Sequence, residues 1–193
     1  CTMERIVTMH LTDIHCHLLP GVDDGPGTIK EAGRLLDLMR EEGVDRIIVT
    51  PHFHPEMFEP SAERVERFHR GLRHVARTRR ITLYLGSEFY RCPGISRLLA
   101  EGKRPSLAGS SHVLVEFAPD DVYQTIRNYI YELRSRGWRP VIAHVERYEC
   151  CHRDSRRVRE LTELGAAIQV NASAVMGKRG GRMKGFCRNL IES

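Results

Sequence analysis

The chain has 193 residues, enough for one domain with a sizeable core. With 41% hydrophobic and 28% charged residues it reads as an ordinary globular protein, and no apolar run approaches the ~20 residues that a membrane-spanning helix needs. The net charge of +5 favours an anionic partner, but no RNA- or DNA-binding motif accompanies it.

The amino terminus lacks the continuous apolar stretch of a signal peptide, so a cytoplasmic protein is expected. The first residue is Cys1, which leaves open a fragment or a true start at Met3 or Met9. The six cysteines form no C-x-x-C pair, and reduced thiols are the expectation. The Cys-x5-Arg loop of cysteine phosphatases is absent.

Strand-like and helix-like patterns then alternate along the chain. A first strand is predicted over 5–14 and a helix over 30–42. Thr28 and Glu31 supply a capping box for that helix, Gly43 stops it, and Ile29, Ala32, Leu35, Leu36 and Met39 form its apolar face. A strand over 46–50 ends at Pro51 and is followed by a helix over 62–77. A strand over 81–85 and a short helix over 95–101 come next. A strand over 112–117 leads to a helix over 121–136, with Val122, Ile126, Tyr129 and Leu133 inward. The last predicted elements are a strand over 140–143, a helix over 155–164, a strand over 167–170 and a basic helix over 181–191. Strand then helix, repeatedly, predicts a parallel α/β fold, either an open doubly wound sheet or a barrel. No G-x-G-x-x-G follows the first strand, which weakens a dinucleotide-binding reading. The run from Lys178 to Arg188 holds Lys178, Arg179, Arg182, Lys184 and Arg188 with no acid, and a solvated helix face is its expected role.

Metal-capable side chains fall at or just past the predicted strand ends. His15 and His17 follow the first strand, with Asp23 and Asp24 in the next loop. His52 ends the second, Glu88 follows the third, Glu116 ends the fourth, His144 ends the fifth and Asn171 ends the sixth. In a parallel barrel these ends gather on one face, where barrel active sites are built. Residues i and i+2 of a strand point the same way, so His15 and His17 can face one ion. Imidazoles with carboxylates suit zinc, manganese or iron, and paired ions suit phosphoester hydrolysis. Taken singly, each has a plain explanation: two surface histidines, a strand-end histidine, a glutamate paired with an arginine. The set on successive strands does not. His10, His54, His69, His74, His112 and His152 lack this placement and are expected to be structural or surface residues, with His54 near enough to His52 to support it.

D-I-H-C-H-L-L-P-G-V-D-D-G at 13–25 resembles the opening motif of the PHP-type (polymerase and histidinol phosphatase) bacterial tyrosine-protein phosphatases of capsule and exopolysaccharide synthesis. I-I-V-T-P-H at 47–52, G-S-E-F-Y at 86–90, V-L-V-E-F at 113–117, V-I-A-H-V-E-R-Y at 141–148 and Q-V-N-A-S at 169–173 follow in the family's order. The resemblance spans nearly the whole chain and implies a single PHP domain over 1–193. Its fold would be a distorted (β/α)7 TIM-like barrel, with about six of the seven units present. It further implies up to three divalent ions, usually assigned to manganese, with zinc or iron(II) as alternatives. The implied ligands are His15, His17, Asp24, His52, Glu88, Glu116 and His144, with Glu88 bridging. Arg147 would bind the phosphoryl group. The implied reaction is hydrolysis of phosphotyrosine on a protein, such as the tail of a bacterial tyrosine kinase, by metal-activated hydroxide.

The family's closing D-x-H motif does not occur downstream of His144. A fragment with impaired metal binding and activity is therefore expected. Two other functions stay open: a different PHP phosphoesterase, such as a histidinol-phosphate phosphatase, and a non-catalytic module that binds phosphorylated tails. Nucleic-acid binding rests on charge alone.

Overall fold

The structure, a computed structural model, describes residues 10–192. The chain folds into two compact units. One comprises the residues up to Ser87 with Lys103–Gly109, the other Glu88–Gly102 with the residues from Ser110 on.

In the first unit the order is β1 (Leu11–Cys16), α1 (Ile29–Glu41), β2 (Val44–Val49), β3 (His52–Phe53), α2 (Ala62–Arg77) and β4 (Thr82–Leu85). Strands β1, β2 and β4 lie side by side and parallel, in that order. Of the predicted first strand, residues 5–9 lie outside the described residues; the described part runs on through Cys16. The pairing of β1 with β2 shifts register between Asp13 and Cys16, a bulge that re-aims the strand just where His15 sits.

Both helices are set by their sequence. The Thr28 side chain accepts from Glu31 N at 3.2 Å and the Glu31 carboxylate accepts from Thr28 N at 3.0 Å, closing the expected capping box. Gly43, at φ 91°, ends the run. Of the predicted apolar face of α1, Ala32 and Leu36 are buried, whereas Ile29 and Leu35 are exposed. The buried stripe is narrower than the sequence pattern. Helix α2 keeps its predicted bounds, capped by Ser61, whose side chain accepts from Arg64 N. It buries Val65, Leu72 and Ala76 in a core shared with Leu36, Ile47, Val49, Ile81 and Leu83.

The second unit contains β5 (Glu88–Tyr90), α3 (Ile95–Ala100), β6 (His112–Glu116), α4 (Tyr123–Ser135) and β7 (Arg139–Ile142). A 3-10 turn (Val145–Arg147) follows, then α5 (Glu149–Arg153), α6 (Arg156–Glu163), β8 (Ala167–Ile168), α7 (Ala172–Val175) and α8 (Gly181–Glu192). Strands β5, β6, β7 and β8 pair in parallel in that order, with Tyr90 opposite Glu116, Val115 opposite Ile142, and Ile142 opposite Ile168. Every residue of β6 and β7 from Val113 to Val115 and from Pro140 to Ile142 is buried, as expected of a parallel strand covered on both faces. Helix α4 turns Ile126, Ile130 and Leu133 inward; Val122 precedes it and is exposed. The fold is thus α/β with parallel strands.

Candidate metal and phosphate site

In the first unit the ligand-type side chains gather around the end of β1. The bulge and the two-residue spacing bring His15 Nε2 and His17 Nε2 to 3.2 Å. The loop that follows folds back over them. Asp23, its side chain fully buried, accepts from His17 Nδ1 at 2.9 Å, from His52 N at 2.9 Å and from Gly25 N at 3.1 Å. A Cβ at Gly25 would lie 2.5 Å from the His17 carbonyl oxygen, so only glycine lets the loop close this tightly. Burial pushes the Asp23 carboxyl upward, but the His17 ring and the two amides outweigh it and hold the group below the usual carboxylate range. Asp23 is therefore ionised, and it fixes both the ring of His17 and the backbone at His52.

Asp24, unlike Asp23, is exposed. Its Oδ1 lies 3.8 Å from His17 Nδ1 and 3.7 Å from His52 Nε2, and the rings of His17 and His52 are 4.4 Å apart. Single donor atoms of His17, Asp24 and His52 all fall within 4.8 Å of one another, a spacing that suits one cation. His52 opens the short strand β3 rather than ending β2, and its ring stacks on Phe58 at 5.5 Å. His54 Nδ1 lies 2.6 Å from the Pro55 carbonyl of its own turn.

In the second unit a histidine sits between two carboxylates. His144 Nε2 lies 3.1 Å from Glu88 Oε1 and 3.2 Å from Glu116 Oε1. Glu88 is fully buried and opens β5; Glu116 closes β6. Burial alone would lower the His144 pKa, but the hydrogen bonds to Glu116 and Glu88 raise it above the ordinary imidazole value. Two carboxylates and an imidazole converging in a largely buried setting are a donor set that suits a divalent ion. Arg147, on the 3-10 turn, places Nη1 3.9 Å from the same Glu116 oxygen, and its side chain remains 38% accessible, enough to meet a substrate.

Three residues to which the sequence reading gave no role hold this arrangement. Tyr148 is fully buried; its hydroxyl donates to the Ala143 carbonyl at 2.8 Å and accepts from Phe117 N at 3.1 Å. It thereby ties the residue before His144 to the residue after Glu116. Gln169 Oε1 accepts from His144 N at 2.6 Å, which supports His144 in a left-handed conformation (φ 34°, ψ 55°) unusual for a non-glycine residue. Glu146, also fully buried, accepts from Asn171 N at 3.2 Å, while Asn171 Oδ1 accepts from Gln169 Nε2 at 3.1 Å. Asn171 is thus a structural link between the turn bearing Arg147 and the end of β8. Each of the three lies inside a motif quoted above, Glu146 and Tyr148 on either side of Arg147 and Gln169 two residues before Asn171, and that placement is the signal a sequence could have offered.

Burial and the Asp13 carboxylate push the Cys16 thiol well above its ordinary value, and burial does the same for Cys151.

Known proteins resemble the chain along most of its length. It is 32% identical to the tyrosine-protein phosphatase CpsB of Streptococcus pneumoniae over 164 residues, covering 84% of this chain and 68% of that protein. It is 30% identical to the tyrosine-protein phosphatase YwqE of Bacillus subtilis over 185 residues, covering 95% and 73%. A solved chain matches at a TM-score of 0.86 and 29% identity over 94% of this chain and 74% of its own. It comes from the crystal structures of YwqE from Bacillus subtilis and CpsB from Streptococcus pneumoniae, described as unique metal-dependent tyrosine phosphatases. The family model for capsular polysaccharide synthesis, CpsB/CapC, matches residues 11–193, and the chain belongs to that family.

Proposed function

We propose that this protein is a metal-dependent protein-tyrosine phosphatase that removes phosphate from a phosphotyrosine protein in capsule or exopolysaccharide synthesis. The observation that carries this reading is the meeting of His144, Glu88 and Glu116 within 3.2 Å, beside the accessible guanidinium of Arg147. A ligand cluster that suits a divalent ion, next to a phosphate-binding arginine, is what phosphomonoester hydrolysis requires.

The residues that would hold the ions are His15, His17, Asp24 and His52 in the first unit and Glu88, Glu116 and His144 in the second. Manganese is the ion we favour, up to three per chain. Bound divalent ions supply a nucleophilic water at neutral pH and draw charge from the phosphoryl oxygens. The protein's own residues do the rest. Arg147 binds the phosphoryl group and stabilises the charge that builds on its oxygens in the transition state. Asp23 keeps the His17 ring in one orientation and one tautomer, with the proton on Nδ1. Tyr148 and Gln169 fix His144 so that no reorganisation is needed when substrate arrives. Tyrosine leaves as phenolate, whose conjugate acid has a pKa of about 10, so a strong proton donor is dispensable.

The phosphotyrosine protein we favour is a bacterial tyrosine kinase, and the free thiols of Cys16, Cys92, Cys150, Cys151 and Cys187 accord with action in the cytoplasm. The repeated strand–helix order is read as that of the distorted (β/α)7 barrel of the PHP type, which an experimental structure would test. For the activity, the test is hydrolysis of a phosphotyrosine peptide and of histidinol phosphate, before and after chelation. Preferred turnover of the peptide, lost on chelation and restored by manganese, is expected. Preference for histidinol phosphate, or chelator-resistant hydrolysis, contradicts the reading.

A further inference from the structure

Lys178, Arg179, Arg182 and Arg188 of the basic run are exposed, as expected of a solvated face. Part of it lines a cavity of about 410 Å³ bounded by Glu149, His152, Arg179, Arg182, Met183 and Phe186. The two arginines reach it from different supports. Arg179 lies in the turn between α7 and α8, which Gly180 N closes by donating to the Gly177 carbonyl at 2.9 Å; both glycines have φ near 90°, a conformation that favours glycine. Arg182 is in the first turn of α8. The wall between them is aromatic: His152 and Phe186 meet edge to face, with ring centroids 5.1 Å apart.

The cavity is built on elements joined to the turn that carries Arg147. Glu149, on its rim, is two residues further along the chain, and helix α8 packs against the 3-10 turn that carries Arg147. Burial raises the Cys187 thiol on α8, the Glu146 carboxylate adds to that and Arg179 opposes it, so both groups lie within electrostatic reach of one side chain.

We infer that this cavity is a second anion site that takes a further phosphotyrosine side chain of the same polypeptide substrate. The inference rests on the phosphatase reading. Two guanidiniums suit a phosphoryl group, through paired N–H donors, and an aromatic wall suits the phenyl ring that carries it. The volume falls within the range of small-molecule pockets. Residues two to four apart in an extended peptide lie about 7–14 Å from each other, and that is the reach the inference requires between Arg147 and the cavity. Glu149 is the one acid on the rim. It opposes a dianion and sets an upper limit on how tightly the site holds one.

The test uses two peptides with the same hydrolysable phosphotyrosine. Three residues away, one carries a non-hydrolysable phosphonomethyl-phenylalanine and the other a plain tyrosine. For the wild type, KM for the first peptide should be about tenfold lower, the scale of one charge-assisted hydrogen bond. Arg179→Ala combined with Arg182→Ala should erase the difference and leave the plain peptide unchanged. Glu149→Gln, which retains the arginines, should widen it. Equal KM values for the two peptides in the wild type, or a difference that survives loss of both arginines, overturns the inference. Binding of the phosphono-peptide followed by fluorescence anisotropy gives the same comparison without turnover. If neither peptide is hydrolysed the phosphatase reading fails, while the anisotropy difference between wild type and the double variant still decides the cavity's role.

Discussion

The hydroxyl of Tyr148 donates to the carbonyl of Ala143 over 2.8 Å, in a setting closed to solvent. Because the same hydroxyl accepts from Phe117 N, a single oxygen sets the spacing between the strand ends that present His144 and Glu116. Tyr148→Phe leaves the ring in place and removes both bonds, stranding a buried amide and a buried carbonyl. It should cost about 1–3 kcal/mol of stability, read from urea unfolding. Turnover should fall with KM little changed, since the loss is of positioning rather than of binding. Unaltered unfolding in the variant would show that Tyr148 is not the strap described.

Asp23 acts on His17 from behind. Asp23→Asn keeps the size of the side chain but loses the charge that holds the His17 Nδ1 proton. Metal affinity should drop about 10- to 100-fold, the usual effect of removing a ligand's outer partner. Titration of metal-free protein with manganese measures this. Affinity equal to the wild type would mean that His17 needs no such support.

Arg147 should matter to the reaction and not to metal binding. Arg147→Ala is expected to lower kcat about 10²- to 10³-fold, the scale of removing one transition-state donor, with manganese binding retained. Arg147→Lys should recover only part of this, because an ammonium cannot make the paired contacts of a guanidinium. Equal loss of metal and activity would instead make Arg147 a structural partner of Glu116.

His69 gives a pH dependence unconnected with the reaction. It is half-buried on α2, and its Nε2 is buried without a hydrogen-bond partner. Burial first, then Arg73 and Arg70, push its pKa from 6.5 down to about 4. The folded value lies below the unfolded one, so the neutral ring's contribution is whole above pH 6.5 and is lost progressively as the pH falls toward 4. His69→Gln should remove that part of the acid sensitivity. After allowance for solvent around the ring, the difference between wild type and variant across this window should be about 1–2 kcal/mol. Parallel stability curves for the two proteins would rule this out.

What the sequence disclosed, and what it hid, follows from how local each signal is. Helix α2 was legible because Val65, Phe68, Leu72 and Val75 recur at helical spacing. Strands β3 and β5 were not, since His52–Phe53 and Glu88–Tyr90 are too short to show any period. The expectation that His52 ends the second strand therefore missed the break after β2, and the separate strand that Glu88 opens after β4 was not foreseen. Ile29 and Leu35 fit the helical pattern of α1 but lie beyond the width of the stripe that the core covers, a limit set by tertiary packing. At the site, residue types at strand ends were readable. The burial of Asp23 and the exposure of its neighbour Asp24 were not, because they depend on the closed loop that Gly25 permits.

The most direct measurement is metal content and phosphotyrosine hydrolysis on one preparation of the full-length protein, beside His144→Ala and Asp24→Ala variants. The account predicts bound manganese and chelator-sensitive turnover in the wild type. Each variant should lose metal and activity together, since each removes a donor from one of the two clusters. Full metal content and turnover in either variant would contradict the ligand assignment, and hydrolysis with no metal bound would contradict the mechanism itself.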